Sequence, residues 1–432
     1  MQQKKHRFFY GYYILACCFL FFVASGTLGY GMSLFVKPLT DEFGWKRAEI
    51  MGGSTLNFLV SGLVAPFIGR VVPRIGAKRI IALGALGMGC SLALWSLTQN
   101  LWQYYLFAFM AGIFGGGMGI LPISMVVSNW FHQRRGWAIG VLGSGIGVGG
   151  FVMPQIIGNI FIPNFGWRGA YLLCGLLIVV MIIPLDLLVI KTKPEDMGLY
   201  PDGADTPPGE VAHVGHSRKK VRDEVEMNFN EARKTSAFWL MALAFGTFSV
   251  ANASIMQNHA PHLQGIGFNL ALAATAVSFV GVGSAIGKFS FGWLCDYVPA
   301  KFSFAIGIGC EALGVLILMN INPLSPGYWI WAYALIFGLG VGCWLPSMSM
   351  TISSTFGIRS YGVIFGVISL IWSIGGSLGP VTAGFIYDNT GNYFWAFVVA
   401  LVMYLIAVPV MMFVRSSKGD VQKESKAIGE KA

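Results

Sequence analysis

Lys288 is a lone cation inside an apolar stretch whose polar end is marked by Asp296, eight residues further on. At 1.5 Å per helical residue it stands about 12 Å from that boundary, close to the ~15 Å half-thickness of a bilayer's hydrocarbon. A lysine at a helix centre costs about 2.5–3.5 kcal/mol on insertion scales, so such a cation is expected to face a wet cavity or a partner. Ser278, Gly281, Ser284 and Lys288 recur at spacings of three and four, which makes one small, polar face of a helix. The stripe reads as a cavity wall and its cation as a binder of anionic solute. A lysine that snorkels to the nearer surface, or one paired permanently with a carboxylate, is the competing reading.

Other polar groups lie at comparable depth. Glu311 sits well inside an apolar stretch, where a carboxyl can carry a coupling proton or else serve packing or a lipid boundary. His259 and His262, within Asn258-His259-Ala260-Pro261-His262, fall at the end of another stretch, where imidazoles can gate, relay protons or simply be solvated. Tyr30, Asn57, Gln257, Trp344 and Trp372, with Ser284 and His259, are candidates for the hydrogen bonds and walls of a small-anion pocket. No catalytic constellation competes. There is no nucleophile elbow, HExxH or Walker A run, so neither an enzyme nor an ATP-driven machine is expected. The seven cysteines form no disulfide framework or CxxC pattern, and no metal or cofactor is expected.

Lipid must be the solvent of the elements that position these groups. The chain is 55% hydrophobic and only 11% charged, against about 25% charged in a soluble domain. Apolar stretches occupy 11–36, 48–69, 79–98, 101–125, 138–162, 168–190, 237–258, 270–294, 302–320, 328–350, 362–387 and 393–414. Each approaches or exceeds the ~20 residues that cross a hydrocarbon core, and the first is too long for a cleaved signal. The expectation is an all-α membrane protein of twelve transmembrane helices in two pseudo-symmetric six-helix bundles. Its parts are a bundle over 1–190, a polar cytoplasmic linker over 191–236, a second bundle over 237–414 and a cytoplasmic tail over 415–432.

Basic residues set the orientation. With the N-terminus inside, 24 of the 29 Lys and Arg fall in inner segments, four (Lys37, Lys46, Arg47, Arg168) fall outside, and Lys288 lies within a span. The positive-inside rule then places both termini in the cytoplasm. This asymmetry also accounts for the net charge of +10 without any nucleic acid.

The two halves repeat. A shift of 226 carries Gly136, Gly140, Gly149, Gly150, Pro154 and Gly158 onto Gly362, Gly366, Gly375, Gly376, Pro380 and Gly384. A shift of 224 carries Gly116 and Pro122 onto Gly340 and Pro346, and one of 223 carries Ser61 and Gly69 onto Ser284 and Gly292. Spans 5 and 11, 4 and 10, and 2 and 8 are therefore equivalents. Parallel halves of this kind expose a midplane site alternately by rocking against each other.

Several motifs carry a family resemblance that covers nearly the whole chain. They are Phe35-Val36-Lys37-Pro38-Leu39 with Glu42-Phe43-Gly44-Trp45, Asn129-Trp130-Phe131 with Arg134-Arg135-Gly136, Gly166-Trp167-Arg168, and the run from Lys193-Pro194-Glu195-Asp196 to Gly203. On these the chain resembles the major facilitator superfamily, and within it the oxalate/formate antiporter and monocarboxylate transporter group. The superfamily's loop motif between spans 2 and 3 appears as Gly69-Arg70-Val71-Val72-Pro73-Arg74-Ile75-Gly76, with Pro73 in the usual Asp position, whereas the second copy keeps Asp296. The resemblance implies that Arg74, Arg135 and Asp296 take part in an inner gate. It also implies that Lys288 occupies the place of an Arg that binds the substrate carboxylate; an ammonium would do so as a point charge, without the planar fork.

The implied function is secondary transport, by alternating access, of small carboxylate anions, such as lactate-, pyruvate- or formate-like monocarboxylates or an oxalate-like dicarboxylate. Family symporters commonly place an Asp where this chain has Ser284, and its loss favours exchange over proton symport. The alternatives are a proton-coupled monocarboxylate symporter or an exporter of drugs or other small solutes. The expected partners are the small organic anion, the lipid bilayer and a proton or counter-anion, with the plasma (inner) membrane as location.

Overall fold

A computed structural model describes residues 9–131, 135–203, 227–357 and 361–414. Among these residues the regular structure is helical throughout. The first half holds α1 (Gly11–Gly29), α2 (Val36–Phe43), α3 (Arg47–Ile75), α4 (Ala77–Trp95), α5 (Leu101–Gly117), α6 (Ile120–Trp130), α7 (Arg135–Ile156) and α8 (Ile162–Leu188). After the short α9 (Phe229–Ala232) come α10 (Ser236–Gly265), α11 (Leu270–Tyr297), α12 (Ala300–Met319), α13 (Tyr328–Val341), α14 (Trp344–Phe356), α15 (Tyr361–Thr390) and α16 (Phe394–Met412). Polar caps set several starts: the side chains of Asn100, Thr235 and Asn269 accept from the backbone N–H groups of Gln103, Phe238 and Leu272.

Eleven helical runs are long and apolar enough to cross a membrane. The longest, Ala138–Leu188, has 51 residues, about 77 Å at 1.5 Å per residue and more than twice a hydrocarbon core. Gly166 breaks it with φ 65° and ψ 175°, a conformation open to glycine, so the run makes two crossings and the described chain crosses twelve times. An even count leaves Phe9 and Val414, with Lys191 and Ser236 between the sixth and seventh crossings, on one side, called here the terminal side. Tyr10 accordingly donates to Val189 O, and Met227 N donates to Phe356 O.

Four spans are irregular. Span 1 tightens into a 3-10 segment over Gly31–Phe35, and span 5 loosens into a π segment over Ile157–Phe161. Spans 4 and 10 break after Gly117 and after Val341, and resume at Ile120 and Trp344. A shift of 224 superposes both the ends and the restarts, so the internal repeat extends to the backbone irregularities.

The motif loops prove to be clasps. On the terminal side Asn129 Nδ2 donates to Thr192 O at 2.9 Å and Trp130 Nε1 to Lys191 O at 2.9 Å. On the far side Arg168 donates to Ser96 O, Thr98 O and Glu42, which also accepts from Trp167 Nε1. These residues tie loops to spans.

The halves meet along two lines, α3 with α15 and α7 with α11. A Cβ added at Gly62 would lie 2.5 Å from Ser373 Cβ, and one at Gly147 would lie 2.5 Å from Ala285 Cβ. These are equivalent contacts, since Gly147 maps onto Ser373 and Gly62 onto Ala285 under the shifts of 226 and 223. Towards the far side the lines stay tight, at Gly158 against Ala274 and Gly384 against Ala48. Towards the terminal side the same helix faces continue through Gly143, Gly140, Gly292, Gly366 and Gly362, and among the described residues nothing lies within 4 Å of a Cβ there. The halves are closed on the far side and parted on the terminal side.

Candidate functional site

Two contacts and one exposed face of α11 decide where its polar stripe points. Gly283 and Gly287 pack on α13, Gly281 and Ala285 pack on α7 of the other half, and Ile286, Phe289 and Trp293 are exposed on the outer face. Ser284 and Lys288 take the remaining interior edge, the first buried and the second partly buried. Among the described residues the Lys288 ammonium has no ion pair: the only two pairs are Lys37 with Asp41 and Arg168 with Glu42. Along α11, Lys288 lies between the last inter-half contact at Ala285 and the open position at Gly292. It therefore stands where the two halves begin to part.

Three of the sequence candidates meet here. At the irregular turn of span 1, the Tyr30 ring packs on Gly150, where a Cβ would lie 2.9 Å from Cε2. Its hydroxyl lies near Ser284, whose Oγ has no hydrogen-bond partner among the described residues. Gly342, at the break of span 10, packs on the Lys288 backbone, with a Cβ only 2.4 Å from its N. Trp344, which opens α14 just beyond, stacks on Trp372 at 4.7 Å between centroids and 20° between planes. Asn57 and Gln257 both line a cavity of about 90 Å³, with Ser54, Met32 and Trp95.

Other expectations change. The helix α10 runs on to Gly265, through Pro261, so both histidines lie within it, His262 in its last turn and partly exposed. His259 is wholly buried, with no partner for either ring nitrogen and its ring near Tyr333. His262 sets its ring edge on Phe397 at 4.9 Å. Glu311 does not face lipid: it is fully buried, because α12 turns this residue inward against Gly340. Its carboxylate accepts from Asn252 Nδ2 at 3.1 and 3.2 Å and from the Tyr404 hydroxyl. Arg74 and Asp296 are exposed and in no ion pair among the described residues, as suits a parted terminal side. The side chain of Arg135, and all of Arg134, lie outside the described residues.

Sequence reasoning missed a second set of residues. Arg47, counted there among the outer-loop cations, is 7% exposed, and its guanidinium donates to Tyr393 OH at 2.9 Å while covering the Tyr387 ring at 4.1 Å. Asp388 reaches from the other half to accept from the backbone N–H groups of Arg47 and Ala48 at 3.0 and 2.8 Å, capping α3. Asp186, also missed, is wholly buried with neither oxygen hydrogen-bonded. Intramembrane position was a readable signal for Asp186. Nothing in the linear order pairs Arg47 with Asp388, which are 341 residues apart.

Twelve crossings in two halves related by a parallel repeat, closed on the far side and parted on the terminal side, have the build of a polytopic membrane transporter. The model of the Major Facilitator Superfamily matches residues 14–380, and the chain belongs to that family. Human monocarboxylate transporter 11 is 24% identical, covering 90% of this chain and 80% of its own length. Human monocarboxylate transporter 12 is 23% identical over 95% and 81%. A Bacillus subtilis (strain 168) MFS-type transporter, YcxA, is 22% identical over 90% and 92%. Among solved structures, a bacterial homologue of the human lysosomal transporter Spinster, inward-facing and occupied, superposes with a TM-score of 0.72 at 17% identity, covering 96% of this chain and 99% of that one. The nucleoside transporter NupG gives 0.69 at 11% identity, covering 93% and 98%. The chain is thus an integral membrane transporter with the major facilitator fold.

Proposed function

We propose that the protein carries small carboxylate anions across the plasma (inner) membrane by alternating access, with Lys288 as the anion-binding group. One observation carries the reading: Lys288 has no counter-ion among the described residues and stands at the point where the halves part. An unpaired cation at that depth is costly, and an anion arriving through the cleft lowers the cost. Ser284 and Tyr30 supply hydroxyls beside it, and Trp344 with Trp372 an apolar wall at the same level. The names of the monocarboxylate transporters among its relatives support the substrate class.

The bias of basic residues, 24 against four, supports a cytoplasmic terminal side and hence an inward-open conformation. The division into bundles at 1–190 and 237–414, with linker and tail, belongs to the same proposal. An exporter of cationic drugs would want an acidic cavity residue in place of Lys288. The test is counterflow of labelled lactate-sized and oxalate-sized anions, a neutral sugar and an organic cation in proteoliposomes. Lys288→Gln should lower anion counterflow at least about tenfold, because a hydrogen bond to a charged group contributes roughly 1.5–3 kcal/mol. Wild-type rates in that variant, or movement of only the sugar or the cation, would sink the proposal.

A further inference from the structure

Two carboxyl side chains are wholly buried among the described residues, Asp186 and Glu311. Among the described residues neither is in an ion pair; Asp186 has no hydrogen-bond partner, whereas Glu311 is hydrogen-bonded. Its donors, Asn252 from α10 and Tyr404 from α16, are neutral. The titratable groups around it are Tyr404, Cys310 on its own helix, Cys343 at the break of span 10, and Tyr30 reaching from the other half. None of these is a cation.

Lys288 and Glu311 are therefore two opposite charges in one half that do not touch. When both are ionised they balance across the interior. When an anion binds Lys288, the cation is neutralised and the Glu311 carboxylate is left as an uncompensated charge surrounded by neutral donors, which is the costly state. A proton taken from the loading compartment forms an O–H bond on Glu311 and restores neutrality. By linkage, protonation of Glu311 favours anion binding as much as the anion favours protonation.

We propose that Glu311, held by Asn252 and Tyr404, is the proton-binding site of this transporter and that its proton travels with the anion. The site also has a route to the moving parts. Gly340, two residues before the break of span 10, packs on the Glu311 side chain, and Asn252 ties it to span 7. The missing acid at Ser284 is thereby replaced from a different span. Coupling to the anion rests on the carboxylate reading above; the binding of a proton does not.

Two measurements separate the two. First, infrared difference spectra of the purified protein between alkaline and acidic buffer should contain the carbonyl stretch of a protonated carboxyl, absent from Glu311→Gln and kept in Asp186→Asn. A band that persists in Glu311→Gln, or that is missing from the wild type, overturns the proton site. Second, in proteoliposomes anion uptake should alkalinise the source compartment, and Glu311→Gln should lose that pH change while still catalysing anion counterflow. The amide keeps the size and hydrogen bonding of the carboxyl, so a merely structural role would leave the pH change in place. Anion uptake by the wild type without proton movement overturns the coupling. A titrating band in a protein that moves no carboxylate would refute the substrate class while the proton site stands.

Discussion

Lys288 owes its importance to what surrounds it more than to its charge. The ammonium is placed by glycines: Gly287 and Gly342 let α11 and α13 approach so closely that a Cβ at Gly342 would lie 2.4 Å from Lys288 N. A guanidinium at the same place presents two parallel donors to a carboxylate, where the ammonium is a point charge. Lys288→Arg should therefore keep transport but change its selectivity, favouring planar carboxylates able to accept both donors. Competition curves for a panel of short mono- and dicarboxylates check this. An unaltered ranking of the panel would mean that the carboxylate does not meet this side chain.

Along the helices, each inter-half face is a single glycine-rich stripe used in two ways. Gly147 is in contact with Ala285, whereas Gly143, four residues earlier on the same face, meets nothing among the described residues. Gly147→Leu is expected to destabilise this conformation by about 1–3 kcal/mol, the usual cost of overpacking. Gly143→Leu should leave the melting temperature close to that of the wild type and yet block transport, because its side chain occupies space the halves must fill when the terminal side closes. Thermal unfolding and counterflow of the two variants test the pair. Full activity of Gly143→Leu would show that the terminal side does not close along this face. The matched breaks after Gly117 and Val341 are the places where spans 4 and 10 can bend in that closure.

For the whole molecule the question is what keeps the far side shut. Asp388 caps α3 from the opposite half, and Arg47 adds a hydrogen bond and a cation–π contact to Tyr393 and Tyr387. Loss of a helix cap costs about 0.5–2 kcal/mol, and about 1.4 kcal/mol shifts a two-state population tenfold. Asp388→Ala should accordingly move the population towards opening on the far side. With the seven native cysteines replaced, a single cysteine at Gly292 should become slower to label, and one at Ala48 faster. If neither rate moves, the Asp388 cap does not hold the halves together.

What the sequence determined by itself follows from local physics. Lipid demands long apolar helices, an 11% charged chain marks its few buried charges clearly, and a parallel repeat shows as recurring glycines. Twelve crossings, the equivalence of spans 2 and 8, 4 and 10, and 5 and 11, and the candidacy of Lys288 and Glu311 were all legible from these. Tertiary structure decided which faces meet. That α12 turns Glu311 towards Asn252 and Tyr404, residues 59 and 93 positions away, cannot be read from a span that is apolar all round. Nor can the helical extension that buries His259, the placing of Tyr30 near Ser284, or the cap that Asp388 gives to α3. In each case the partner comes from a distant segment, and its place is set by the packing of the helices and by how far the two halves have rocked. Periodicity identifies the helix that carries a residue, but its neighbours depend on contacts between helices, which leave no local pattern in the chain.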